Sequence, residues 1–245
     1  MSKSKEYLDN MRRVLDEIAE TQLDAIDRCA EAFADALENG RNIFLFGTGH
    51  SHMLAEELFY RAGGLVRIRP VLETALMLHE SASKSTQIER LPGYAEILFD
   101  SYGMKKGDVI VIISNSGRNG VCVDLALLAK ARGLTVIALT SLRHSQASAS
   151  RHPGGKRLFE IADIVLDNRG CVGDASVYFE ELGRNAAATS TSAGAAILNA
   201  AVAGCIEKML ADGVTPEVFA SSNIDGGDEI NEAFVRKYRG EIRSL

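Results

Sequence analysis

The chain has 245 residues, of which 46% are hydrophobic and 24% are charged. This balance excludes disordered and fibrous proteins and fits one large α/β domain. The formal net charge of -6 gives no general attraction to nucleic acid or to an anionic membrane, and tryptophan is absent.

Cysteine usage and the amino terminus indicate the compartment. The four cysteines lie far apart and form no CxxC pair, which favours buried reduced thiols over disulfides or a zinc site: Cys29, Cys122, Cys171 and Cys205. The first residues, MSKSKEYLDNMRR, lack the apolar core of a signal peptide, and no run of about 18 uninterrupted apolar residues spans a bilayer. We therefore expect a cytoplasmic protein.

The first 38 residues predict helix. Apolar residues recur at helical spacing through residues 4–38, and Asn39-Gly40 is a stop signal. The pattern fits one long amphipathic helix, or two that join near Glu20 to Gln22. Such a helix needs a partner surface for its apolar stripe.

Five short apolar runs then predict strands: Asn42 to Phe46, LVRIRPVLE, DVIVIISNSG, LTVIALTS and IADIVLDN. Helical patterns separate the earlier runs, as in HMLAEELFYRAGG and VCVDLALLAKARG. This alternation predicts a parallel sheet with helices on both faces. Pro70 favours an edge position or a strand end for the second run.

The remaining segments predict helices. NAAATSTSAGAAILNAAVAGCIEKMLADG is rich in small residues, which suit close helix packing, and DEINEAFVRKYRG predicts a short terminal helix. We interpret the whole chain, residues 1–245, as one domain. It has a helical extension over 1–39, a sheet core over about 40–210 and a tail over 211–245.

Two strand ends carry the pattern of a phosphate site. The first strand runs into GTGHS and the third into SNSG. Glycines allow close backbone approach, the following helix offers free N–H groups, and serine hydroxyls suit phosphate oxygens. The first loop lacks the last glycine of GxGxxG, and no GxxxxGK motif occurs. The alternative is that both loops are only tight turns.

With these two loops in this order of strands, the sequence resembles the SIS (sugar isomerase) domain family, which binds phosphosugars. The resemblance covers about residues 40–210 and implies a three-layer, doubly wound, flavodoxin-like sheet of five parallel strands with an N-terminal helical extension. It also implies a dimer with the phosphosugar near the subunit interface. By position, the phosphate site would be lined by Gly47, Thr48, Gly49, Ser51, Ser114, Asn115, Ser116 and Gly117.

Three further residues complete the predicted loops. His50 lies inside the first loop and is expected to face the ligand, whereas His52 begins the next helix and is expected to be partly in the core. Asn119 stands where many family members have threonine, and asparagine can cap the helix and donate to phosphate. His50 and His52 point apart at this spacing, so no metal site is predicted.

Aldose–ketose isomerisation needs a carboxylate base and a group that assists ring opening. Glu73 ends the second strand on the ligand side, where family isomerases and synthases often have a catalytic glutamate, and is the predicted base. His79 or Glu80 is the predicted assistant. A helix over residues 74–81 would align Glu73, Met77 and Glu80 on one face. Alternatively, these glutamates are only helix charges or salt-bridge partners.

Two loops after later strands add weaker candidates. Arg143, Arg151, Lys156 and Arg157 follow the fourth strand, either to close over an anionic substrate or as a solvated basic loop. Asp174 follows the fifth strand and is a candidate ligand of sugar hydroxyls.

The function predicted from the sequence is isomerisation of a sugar phosphate by proton transfer, without cofactor or metal. The alternatives are a sugar-phosphate lyase or etherase, and a non-catalytic phosphosugar sensor. Deaminase or aminotransferase chemistry on amino-sugar phosphates also stays open, and the loops do not identify the sugar. The partners predicted are the sugar phosphate and further copies of the chain in a homodimer or homotetramer, without nucleic acid or membrane.

Overall fold

Five parallel strands form the central sheet in the computed structural model, which describes residues 2–245. In chain order they are β1 Ile43–Gly47, β2 Ile68–Val71, β3 Val109–Ile113, β4 Thr135–Thr140 and β5 Ile164–Asp167. Across the sheet the order is β2-β1-β3-β4-β5, so the winding direction reverses between β1 and β3. The doubly wound parallel fold is confirmed, and β2, with Pro70, lies at the edge.

Helices cover both faces of the sheet. Their bounds are α1 Lys3–Thr21, α2 Leu23–Glu38, α3 Met53–Leu58, α4 Ala82–Ile88, α5 Tyr94–Ser101, α6 Gly120–Ala131, α7 Leu142–Gln146, α8 Ser190–Ala211 and α9 Gly227–Tyr238. Of the two N-terminal alternatives, two helices form, with the break at Gln22.

Side chains of β1 alternate between two hydrophobic cores. Ile43 and Leu45 pack with α2, α3 and α8 on one face. Phe44 and Phe46 pack with α5 and α6 on the other. All four are fully buried, as expected for a parallel strand that is covered on both faces.

Three local predictions are wrong. Residues 74–81 do not form a helix: a short 3-10 turn covers Thr74–Leu76, and α4 starts only at Ala82. The start of the alanine-rich segment is not helical either. It forms a strand, β7 Arg184–Ala188, in an antiparallel hairpin with β6 Ala175–Phe179. The helix predicted from residue 52 is also shorter, since α3 ends at Leu58.

Helix α8 is the one helix in residues 2–245 that is long and apolar enough, by length and composition alone, to cross a membrane. Its apolar side chains nevertheless have partners in the fold, because Ile197, Leu198 and Val202 are buried in the core that α2 shares. Packing between helix and sheet thus accounts for its composition.

The C-terminal segment covers the backbone directly before the edge strand β2. Phe219 exchanges backbone hydrogen bonds with Gly63 and Gly64, and the amide of Val66 donates to the carbonyl of Glu217. Helix α9 packs behind this segment through a small cluster that includes Phe219 and Tyr238. The segment before β2 therefore has backbone partners on its outer side.

Candidate functional site

The two glycine loops meet at the point where the sheet reverses its winding. Gly47 at the end of β1 is the register partner of Ile113 at the end of β3. The first loop, residues 48–52, includes a 3-10 turn from Gly49, and the second loop, residues 114–119, leads into α6. In open α/β sheets this edge and this switch point are where ligands bind.

Glycine is required at the end of β1 and in both loops, where Gly49 has a φ of +56°. A Cβ atom on Gly47 would lie 2.6 Å from the backbone carbon of Ser51, which is an overlap. Gly117 has a φ of +57° and packs against Thr140, Ser145 and Leu158. These glycines therefore allow the tight fold of the loops, and a side chain at Gly47 or Gly117 would force the loop open.

The second loop presents hydrogen-bond donors that no protein group uses. The backbone N–H groups of Ser116, Arg118 and Asn119, and the hydroxyl of Ser116, donate to no acceptor within residues 2–245. The amide of Gly117 donates inwards, to the carbonyl and the hydroxyl of Ser114 at 3.1 Å, and the amide of Ser114 donates to the Leu139 carbonyl at 3.0 Å. Free amides at the start of a 12-residue helix form a site for an anion.

Arginines surround this helix start. Arg118 lies in the loop itself, and its buried Nε has no hydrogen-bond partner. The basic segment after β4 folds back here, because the amide of Arg151 donates to the Arg118 carbonyl and its guanidinium to Asn119 Oδ1 at 3.1 Å. Burial, and then the charges of Arg118 and Arg90, hold the pKa of Arg151 below its usual value. The segment after β4 is thus on the ligand side.

One carboxylate stands among these cations. Glu89 Oε2 accepts a hydrogen bond from the hydroxyl of Thr48 at 2.7 Å, and the Glu89 carbonyl accepts from the amide of Val121 in α6. Below it, burial and then the charge of Glu89 raise the pKa of the Cys122 thiol to about 12. Glu89 therefore links the first loop, the start of α6 and the arginines.

Three of the predicted loop residues, His50, Ser51 and Asn115, line a narrow cavity beside the glycine loops. Its walls are His50, Ser51, Leu54, Ile113, Asn115, Leu139, Asn168, Ser190 and Thr191, and its volume is about 30 Å³. Asn115 is held by a hydrogen bond from Asn168 at 2.9 Å. A cavity of this size holds about one water molecule, so a sugar would lie over the loops rather than inside it.

The predicted catalytic residues fall into two environments. Glu73 is half-buried at the end of β2, and burial and then the Glu73 carboxylate raise the pKa of the facing Tyr94 to about 12. Glu80 is exposed and paired with Lys84 at 3.1 Å. His79 is exposed as well, with its ring centroid 6.4 Å from that of His52.

The segment that carries these residues borders the first loop. The Leu78 side chain lies 3.9 Å from where a Cβ on Gly49 would be, and the hydroxyl of Ser85 holds the Leu76 carbonyl at 2.7 Å. His52, buried as expected, contacts the carbonyl of Gly49 through Nδ1, and its Nε2 is 3.8 Å from Glu56 Oε1. No three potential metal ligands come together within residues 2–245.

Two sequence expectations about contacts are not met. Asn119 occupies the N-cap position of α6, but its side chain makes no cap hydrogen bond and accepts from Arg151 instead. Asp174 does not face the loops with a free carboxylate. It accepts from the amides of Thr189 and Ser190 and from the Ser190 hydroxyl at 2.6 Å, and so holds the start of α8.

Sequence reasoning missed Glu89, Arg90 and Arg118. Glu89 and Arg90 lie outside any recognised motif, and only the folding of residues 89–93 onto α6 brings them to the loops. Arg118 could have been predicted from the sequence, because it lies between Gly117 and Asn119 of the second loop.

The sequence of the chain is similar to that of a known domain family and of curated proteins. A family model described as SIS domain matches residues 6–141, more than half of the chain. A UPF0309 protein of Geobacillus thermodenitrificans is 43% identical over 240 residues, which cover 98% of this chain and 96% of that protein.

Solved structures share the fold at low sequence identity. A phosphoheptose isomerase from Francisella tularensis superposes with a TM-score of 0.53 at 18% identity and covers 84% of this chain and 100% of its own. The Vibrio vulnificus NanR protein, solved in complex with ManNAc-6P, gives a TM-score of 0.50 at 16% identity and covers 99% of this chain and 68% of its own.

Proposed function

Because the chain belongs to the SIS domain family, we propose that it binds a sugar phosphate at the two glycine loops and interconverts its aldose and ketose forms. A phosphorylated sugar is a metabolite of the cell interior, so we propose the cytoplasm as the compartment. The proposed assembly is a homodimer or homotetramer.

The observation that carries this proposal is the set of unused donors around the start of α6. Three backbone amides and the Ser116 hydroxyl have no acceptor there within residues 2–245, and the loop carries Arg118 and is hydrogen-bonded to Arg151. A phosphate monoester offers three acceptor oxygens and up to two negative charges, which matches donors of this number and sign. A neutral sugar would leave Glu89 as the one counter-ion for the guanidinium groups.

The reacting carbons of the sugar are at the opposite end from its phosphate, so the base must be some distance from the phosphate donors. Glu89 accepts a hydrogen bond from Thr48 and its charge acts on Arg151, which suits a counter-ion that phosphate displaces. Glu73, half-buried in the wall beside the first loop, is the better candidate for moving the proton from one carbon to the next.

The groups that assist ring opening are proposed from the same wall. His79 is the stronger of the two, because its imidazole is close to His52 and is not held in an ion pair. Glu80 is exposed and already bound to Lys84, which suits a surface charge better than a proton donor. In this scheme Tyr94 positions Glu73 through its hydroxyl.

The test is hydrogen exchange with deuterated water at the carbon next to the carbonyl. A panel of pentose, hexose and heptose phosphates, with amino and acetylamido sugars, is first ranked by binding, and the tightest ligands are followed by NMR. We expect the wild type to exchange deuterium and form product. Glu73→Gln should bind as tightly but lose exchange by a factor of roughly 10² or more.

The control is Glu232→Gln, which removes an exposed carboxylate on α9 and should exchange at the wild-type rate. If the wild type binds a sugar phosphate tightly but neither exchanges nor converts it, the chain is a sensor and the isomerase proposal is wrong. If Glu73→Gln exchanges like the wild type, the base is another residue.

A further inference from the structure

A second cleft opens at the amino end of the strands, on the edge of the sheet opposite the glycine loops. Its volume is about 750 Å³, within the range of small-molecule sites. The start of β1, the strand β2, the end of α5 and the C-terminal tail form its walls. The lining residues used below are Arg41, Arg67, Arg69, Tyr102, Lys105 and Arg243.

The cleft is positive in a negatively charged chain. Five basic side chains line it, Arg41, Arg67, Arg69, Lys105 and Arg243, against three carboxylates, Asp100, Asp108 and Glu241. This is an excess of two positive charges where the whole chain has a net charge of -6. An anion would therefore be attracted to this cleft in spite of the overall charge.

One of the three carboxylates is already occupied by backbone groups. Asp108 is buried and accepts from the amide of Asn42 at 3.0 Å and from the amide of Lys105 at 2.8 Å. These hydrogen bonds fix the start of β1 to the loop before β3, and the Asp108 charge acts on Arg69 without a direct ion pair.

Two arginines of the cleft belong to the edge of the sheet. Arg69 lies in β2 and stacks over the ring of Phe44 at 5.8 Å, and Arg67 lies directly before that strand. The Nε atoms of both are buried and have no hydrogen-bond partner. Arg69 has only one long contact of 3.4 Å with Glu241, and burial lowers its pKa.

The remaining cations are free to bind a ligand. The side chains of Arg41, Lys105 and Arg243 make no hydrogen bond or ion pair within residues 2–245. Arg243 stacks on the ring of Tyr102 at 5.1 Å, which holds its guanidinium at the mouth of the cleft. Unpaired cations on several walls suit a ligand that carries more than one anionic group.

We propose that this cleft is a second binding site, for a small molecule with at least two phosphate groups and up to the size of a nucleotide. Arg69 binds the inner phosphate, and Lys105 and Arg243 bind the outer one. The site is distinct from the glycine loops, which are at the other end of the same strands, and the inference does not depend on the proposed isomerase activity.

The probe is inorganic pyrophosphate, titrated by calorimetry into the whole protein. We expect two binding events, one for each end of the sheet. Arg69→Gln and Lys105→Gln should each weaken one event by about tenfold or more and leave the other unchanged. Ser116→Ala should weaken only the other event. Arg236→Gln, which removes an exposed arginine of α9, is the control and should change neither.

Lys105 is exposed, so its replacement tests the cleft even if Arg69→Gln does not fold. Pyrophosphate binding that neither cleft variant weakens would overturn the proposal. Arg67 and Arg69 would then only protect the edge of the sheet from pairing with another strand. An equal loss in Arg236→Gln would also overturn it, as a general charge effect. Loss of the Ser116-dependent event alone would count against the glycine-loop proposal and not against the cleft.

Discussion

Glu89 sets the charge of the candidate phosphate site before a ligand arrives. Its carboxylate accepts from Thr48 and stands near Arg90, Arg118 and Arg151. Three guanidinium groups without a counter-ion would repel one another, so this single carboxylate stabilises the empty site. When phosphate binds, the same carboxylate becomes a like charge close to the ligand.

Glu89→Gln should therefore raise the affinity for inorganic phosphate. The amide keeps an acceptor for Thr48 but removes the repulsion, which is roughly 1 kcal/mol or about fivefold for partly solvated charges. Calorimetry with phosphate measures it, and Glu96→Gln, an exposed carboxylate on α5, is the control. Weaker phosphate binding by Glu89→Gln would show that Glu89 organises the site instead of opposing the ligand.

Ser116→Ala should weaken binding of sugar phosphates by about 1.5–3 kcal/mol, since a hydrogen bond to a charged group is lost. The fold should be unaffected, because this hydroxyl has no partner within residues 2–245. Ser4→Ala, at an exposed position on α1, is the matched control. The measurement is a binding isotherm beside a thermal melt, and unchanged affinity would place the phosphate elsewhere.

At the scale of elements, the start of α8 depends on one side chain. Asp174 accepts hydrogen bonds from Thr189 and Ser190, and α8 supplies much of the core on one face of the sheet. Asp174→Ala should lower the free energy of unfolding by roughly 0.5–2 kcal/mol, as for the loss of an N-cap. Urea unfolding with Asp27→Ala as the exposed control measures this. A stability equal to that of the wild type would contradict the capping role.

The sheet could be predicted from the sequence because each buried strand is a short apolar run between turn residues. Strand β7 could not, because its alanines favour helix by propensity and its stability comes from distant partners. It pairs with β6, and the hydroxyl of Tyr7 in α1 donates to the Ala188 carbonyl at 2.9 Å. The same limit applies to residues 74–81, which pack against the first loop instead of forming a helix.

In the candidate site, too, some residues follow from local sequence patterns and others only from tertiary contacts. Glycines and serines of the two loops are local signals, and the parallel arrangement of β1 and β3 brings them together. Glu89 reaches the loops only because its backbone carbonyl binds Val121 of α6, a contact that no spacing in the sequence encodes. Glu89, which only a tertiary contact brings to the loops, could therefore not be predicted, whereas the glycine and serine pattern of the loops can be read from the sequence.

At the scale of the molecule, one apolar surface has no cover within residues 2–245. Leu8 and Leu15 are exposed one above the other on α1, and Tyr178 and Leu182 are exposed on the adjoining hairpin. Exposed apolar side chains on neighbouring elements are typical of contacts between subunits. It is the surface through which we expect the chain to form its homodimer.

The double variant Leu8→Glu with Leu15→Glu should therefore shift the chain from dimer to monomer, because two charges would be buried at the interface. Sedimentation velocity at micromolar concentration measures the change. Ile97→Glu, an exposed apolar residue on the opposite layer, is the control and should remain dimeric. A wild-type chain that sediments as a monomer would refute the assembly itself.

The central claim is that phosphate anchors the ligand at the glycine loops, and the most direct measurement compares one sugar with and without its phosphate. Calorimetry should be performed with the tightest sugar phosphate of the panel and with the matching free sugar. We predict that the phosphorylated sugar binds at least about a hundredfold more tightly, since several charge-assisted hydrogen bonds are lost without the phosphate. Equal affinity for the two sugars would contradict the account.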